Sequence, residues 1–113
     1  MTDEGEFPDV PGAAELVARF GNWPSFQDAE VRSVHLNREG PSRIRVGIKQ
    51  AVITFVLGGV LELALDGFNG RNALSALTLT KSSTGYTLEM WPGHGISGTI
   101  TVRSVRVEFA AVE

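Results

Sequence analysis

The chain is predicted to be a mainly β (α+β) domain: an antiparallel, meander-like sheet of about six to eight strands, with one short N-terminal helix packed on it. Three observations predict it. Apolar residues alternate with polar ones at period two through most of residues 34–109. Short breaks rich in Gly, Pro and Ser separate these runs, and a single early stretch has helical period instead. With 113 residues, 42% apolar and 20% charged, the chain is long enough for one packed core and too apolar for disorder.

Residues 1–11 carry four carboxylates and two prolines and read as a mobile acidic tail, which leaves 12–113 as the single domain. Ala13, Leu16, Val17 and Phe20 then follow an i, i+3, i+4, i+7 spacing, one apolar helical face, with Asn22 and Pro24 ending the helix. The segment Asn22-Trp23-Pro24-Ser25-Phe26-Gln27-Asp28-Ala29-Glu30-Val31 follows. It reads as a fold-setting corner, because Trp23 and Phe26 each bring roughly 150–250 Å² of surface that must be buried somewhere.

Val34 and Leu36 flank His35, and Ile44, Val46 and Ile48 flank Arg45 and Gly47, so both runs read as strands with one wet face. Ala51 to Leu57 is apolar on both faces and is the expected central strand. Leu61, Leu63 and Leu65 resume the alternation, with Gly40-Pro41 and Gly58-Gly59 expected as hairpin turns. Asp66-Gly67-Phe68-Asn69-Gly70-Arg71-Asn72 reads as a structured corner, since Gly and Asn tolerate positive φ and Asn bonds nearby backbone. The following Ala73–Leu77 suits a helical turn or a strand equally. Leu77 and Leu79, then Tyr86, Leu88 and Met90, then Ile100 and Val102 continue the pattern, with turns at Ser82–Gly85 and Pro92–Gly95. Val102 and Val105 have opposite parity, so a bulge near Arg103-Ser104 is expected to bring both inward.

Composition excludes several classes. There is no cysteine, hence no disulfide, thiol catalysis or thiolate metal site. No stretch approaches the roughly 18 apolar residues of a helical membrane span, and the acidic N-terminus lacks a signal-peptide core, so a cytoplasmic protein with no membrane partner is expected. The net charge is −3 and the ten Lys and Arg residues are scattered in sequence, which disfavours nucleic acid.

Candidate chemistry is sparse. Asp28 and Glu30, about 7 Å apart along a strand, form a carboxylate pair of the type used in acid–base hydrolysis, but Arg32 on the same face is expected to pair with Glu30 and leave a solvated ladder. His35 and His94 lack metal-ligand spacing. Gly93-x-Gly95-x-x-Gly98 has the spacing of a dinucleotide fingerprint, but a strand follows it where a helix is needed. No nucleophile elbow or P-loop occurs. No cofactor, metal or catalytic residue is expected. Trp91, of opposite parity to Met90, is expected half exposed beside Pro92 and His94, as interface aromatics often are.

Phe20-Gly21-Asn22-Trp23-Pro24-Ser25-Phe26-Gln27-Asp28-Ala29-Glu30-Val31 resembles the opening signature of the immunity protein 50 family of bacterial polymorphic toxin systems. Phe68-Asn69-Gly70-Arg71-Asn72-Ala73-Leu74 is similar to that family's asparagine-bracketed corner, and Gly95-Ile96-Ser97-Gly98-Thr99-Ile100 to its glycine turn into a final long strand. Together the motifs bracket most of residues 20–109. The family pattern often carries histidine where this chain has Gln27, which cannot titrate near neutral pH, so no metal or acid–base role is carried over there.

The resemblance implies a non-enzymatic protein, monomeric or homodimeric, that binds a cognate toxin and occludes its active site. A mildly acidic surface would suit a basic toxin, with Asp28, Glu30, Glu62, Asp66, Trp91 and His94 as candidate contacts. Trp23, Pro24, Phe26, Asp28, Asn69 and Asn72 form the structural motif, with Asp28 expected to bond the backbone of the corner. The alternatives are a small-ligand-binding or accessory domain with an apolar cavity, or a small hydrolase using Asp28, Glu30 and His94.

Overall fold

Alternation builds six strands: β1 (Glu30–His35), β2 (Ser42–Gly47), β3 (Ala51–Asp66), β4 (Ala73–Lys81), β5 (Tyr86–His94) and β6 (Ser97–Ala111). They are preceded by one helix, α1 (Ala13–Phe20). The computed structural model describes residues 8–48 and 51–111. All pairings are antiparallel, and the order β1-β2-β3-β6-β5-β4 closes into a barrel. Two consecutive meanders, β1-β2-β3 and β4-β5-β6, are therefore joined along their long last strands. Ile44, Val46, Ile53, Phe55, Leu57, Leu74, Leu88, Met90, Ile100 and Val102 point inward and fill the interior. Ala73–Leu77 opens β4 and is strand, not helix.

The long ribbon of β3 and β6 corrects two expectations. Gly58-Gly59 is not a hairpin turn, since β3 runs straight through it and pairs with β6 from Ala51↔Ala111 to Asp66↔Ser97. Gly59 instead adopts φ 68, and the stem of Arg103 lies against it. The ribbon kinks here, where glycine supplies the positive φ that a side chain disfavours. Val102 and Val105 are both buried, as their parity break requires. Pairing nevertheless runs without shift past Arg103-Ser104, and the extra residue is Leu61, on the opposite strand.

Beyond the kink each long strand loses one neighbour. β5 pairs with β6 only from Gly98 to Val102, so the second half of β6 has a free edge. The segment before α1 covers it: the Val107 N–H donates to the Pro11 carbonyl at 2.8 Å. Val10 is buried, so of the expected tail only residues 1–7 lie outside the described residues, and the packed domain starts earlier than position 12. α1 then lies along β6, with Leu16 fully buried and Phe20 edge-on to Phe109 at 5.7 Å. It ends at Gly21, whose left-handed φ of 90 sets a C-cap bonded to the Val17 carbonyl, one residue before the expected Asn22.

The corner after α1 anchors on the core as its aromatics suggested. Phe26 is buried against Phe55 at 5.9 Å, and Trp23 meets Phe26 edge-on at 5.9 Å. The other corner, after β3, is organised by Asn72. Its buried Oδ1 accepts hydrogen bonds from the amides of Asn69 (2.8 Å) and Ile96 (3.2 Å), and its Nδ2 donates to the Asn69 carbonyl. Its own carbonyl accepts the Val31 amide at 2.7 Å, next to the single β1–β4 pair Glu30↔Ala73. One side chain thus ties the β3–β4 corner to the β5–β6 turn, and the same residue's backbone closes the barrel.

Two stability measurements follow. Gly12 and Gly21 both sit near φ 90, but a Cβ on Gly12 would lie 1.8 Å from the Val107 carbonyl oxygen, whereas nothing surrounds Gly21. Gly12→Ala should therefore cost at least roughly 3 kcal/mol and Gly21→Ala about 1 kcal/mol in thermal unfolding; equal losses would refute the close approach. Asn72→Ala takes the acceptor from the buried Ile96 amide and from the Asn69 amide and should cost about 1–3 kcal/mol by denaturant titration, with Asn69→Ala, whose Oδ1 serves one exposed amide, costing less than half as much.

Candidate partner-binding surface

Asp28, at φ 68, is the one described residue other than glycine with positive φ, a conformation aspartate tolerates better than most. Its amide donates to the Leu74 carbonyl at 2.8 Å, helping to bridge the seam between β1 and β4. The carboxylate accepts no hydrogen bond among the described residues and faces solvent, which corrects the expectation that it bonds the corner. Glu30 follows on the outer face, because Val31 points inward. The expected Glu30–Arg32 ion pair is also absent. Arg32 is the extra residue of a bulge between Val31 and Ser33, and its guanidinium lies over Gly47. The ion pair formed among the described residues is Arg106–Glu108, at 2.9 Å.

A surface depression of about 700 Å³ lies at the seam, lined among others by Gln27, Asp28, Glu30, Arg32, Arg71 and Ala73. Its carboxylates and guanidiniums are exposed, and His94 is not part of its lining. His94 stands opposite Ala73, which stands opposite Glu30. Glu30 and His94 therefore share the outer face at two strand spacings, about 10 Å. The three residues of the hydrolase alternative do not meet around one point. No group of three His, Asp or Glu residues suited to a metal ion occurs among the described residues.

Register assembles a larger surface. β5 does not turn at Pro92: it continues to His94, Gly93 being an extra residue in its pairing with β4, so the expected Pro92–Gly95 turn shortens to Gly95-Ile96. Inward Leu88 and Met90 leave Thr87, Glu89 and Trp91 on the outer face. Cross-strand rows then run Glu62–Thr101–Thr87–Thr80 and Ala64–Thr99–Glu89–Thr78, while Asp66 pairs with Ser97 and Trp91 with Ala76. This wall of β3, β6, β5 and β4 is acidic and threonine-paved, with Trp91 46% exposed. It continues through Ala73 to His94 and Glu30 at the seam. Of the predicted contact residues, Glu30, Glu62, Asp66, Trp91 and His94 occupy outward strand positions, and Asp28 lies in the loop before β1. Glu89 joins them and was missed, because a lone glutamate between Leu88 and Met90 looks like any wet strand position. Phe68, 56% exposed beside Glu30 and Asn69, was read only as part of a corner.

The opposite wall has the other sign. His35, Arg43, Val56 and Arg106 form one cross-strand row, and Ser33, Arg45, Thr54 and Glu108 the next. Three cations far apart in sequence, Arg43, Arg45 and Arg106, are thus gathered on β2 and the far half of β6. Only register could reveal this.

No helix of the described residues is long and apolar enough to cross a membrane. No family model matches the chain, no curated protein matches it, and no solved structure matches it.

Proposed function

We propose that this chain is an immunity protein: a binding protein that neutralises a basic bacterial toxin by covering its active site with the acidic outer wall. The observation that carries the reading is the segregation of charge around the barrel, which puts Glu62, Asp66, Glu89 and Trp91 on one wall and Arg43 and Arg45 on the other. A wall of one sign attracts a partner of the opposite sign, speeds its association and disfavours wrong orientations. An exposed tryptophan in the middle of such a wall supplies the large, rigid apolar contact on which protein interfaces concentrate affinity. The sheet beneath holds that surface rigid, so little is lost to ordering on binding. The likeness of residues 20–31 and 68–74 to immunity protein 50 proteins supports the same reading, and those residues build the two corners that shape the barrel's seam.

The test is co-expression with the product of the adjacent upstream gene, scored by co-purification and by rescue of growth. Trp91→Ala should weaken the complex by at least roughly 30-fold, about 2 kcal/mol. Glu62→Lys with Glu89→Lys should slow association about tenfold at low salt, with less effect at high salt. Arg43→Glu with Arg45→Glu is the control and should leave association within about twofold. Absence of both complex and rescue would sink the reading, and a larger effect from the arginine wall would move the interface.

A further inference from the structure

The two long strands reach equivalent positions in the two meanders, yet their free edges are treated differently. The free edge of β6 is covered by this chain's own extended segment at Val10-Pro11, with a backbone hydrogen bond to Val107 and Leu16 of α1 behind it. The matching edge of β3, from Gly58 to Asp66, lies beyond the last β2 pair at Ser42↔Leu57 and pairs only with β6 among the described residues. Its inner face is apolar and open: Val60 and Leu63 are exposed and, with Leu36, Asn37, Arg38 and Ser42, line a groove of about 380 Å³. Its outer face carries Glu62 and Asp66.

We propose that the edge of β3 takes an extended segment of the partner as an added strand, one that alternates apolar with basic residues. Backbone groups would pair with Val60–Asp66, apolar side chains would enter the groove over Leu63, and the basic ones would emerge on the acidic wall. An unpaired, untwinned strand edge is a template for another chain. Charge decides which chain. A second copy paired antiparallel would bring Glu62 and Asp66 of both copies onto one face, whereas a basic alternating strand meets them with opposite charge. The inference rests on the binding-protein reading and specifies the shape of what is held.

The probe is a short peptide alternating valine and lysine, added to the full chain and followed by fluorescence anisotropy and by amide hydrogen exchange. Binding with slowed exchange at residues 60–66 is the expected result. A peptide alternating valine and glutamate, and one of the same valine and lysine content in two blocks, should each bind at least about tenfold more weakly. Leu63→Asp and, separately, Leu36→Asp should abolish binding while leaving the circular dichroism spectrum and unfolding temperature near wild type. Equal binding of all three peptides, protection outside 60–66, or no binding would overturn the proposal. So would self-association that Leu63→Asp abolishes, which would give the edge to a second copy. Should the peptide fail while Trp91→Ala still weakens the toxin complex, the strand proposal falls and the wall reading stands; should the peptide bind with no toxin complex formed, the reverse holds.

Discussion

Closure of the seam between β1 and β4 is the constraint on which the rest of the barrel depends. Only one residue pair, Glu30↔Ala73, joins these strands in register, and backbone hydrogen bonds from Asp28, Val31 and Leu74 reinforce it. All of them depend on where the Asn72 corner puts the start of β4. A sheet of six strands left open would expose two edges and the inward faces of Val31 and Leu74 to water. Asn72 serves as the clasp because one buried amide side chain satisfies backbone groups on two segments at once, where an apolar residue would leave them stranded.

The kink at Gly58-Gly59 is the second organising feature, and it accounts for the division of labour along β3. Before it, Ile53, Phe55 and Leu57 belong to the sealed interior. After it, the strand leaves β2 and carries Glu62 and Asp66 out onto the acidic wall, with Val60 and Leu63 turned toward an open groove. The same ribbon therefore supplies both core and surface. The glycines permit the change of direction without breaking the ladder to β6, so the exposed half inherits its rigidity from the buried half.

Much of this was legible in the sequence. The period-two runs located stretches of all six strands, because alternation is a direct imprint of a face in water and a face in the core, although β3 was read as two strands. Trp23 and Phe26 were legible as anchors because nothing else explains two large aromatics in a short loop, and the asparagines of residues 69 and 72 because their side chains compete for backbone. Gly58-Gly59 was misread as a turn since a glycine pair marks positive φ equally well at a hairpin and at a kink. The charge segregation was invisible for a different reason. Arg43 and Arg106 share a row only because β3 lies between them, and such a relation is a property of pairing order, which local pattern does not encode. The free edge of β3 was hidden for the same cause.

Of the six strands, β6 comes last in chain order, yet it lies between β3 and β5 and joins the two meanders. Until β6 emerges, the first meander has no partner along Ala51–Asp66, the second lacks its inner neighbour, and neither can bury its apolar face. Contacts such as Ala51↔Ala111 close long loops, and closing them last makes folding slow relative to a helical protein of the same length. A chain interrupted before β6 thus holds two meanders without the strand that joins them, so the barrel forms all or none.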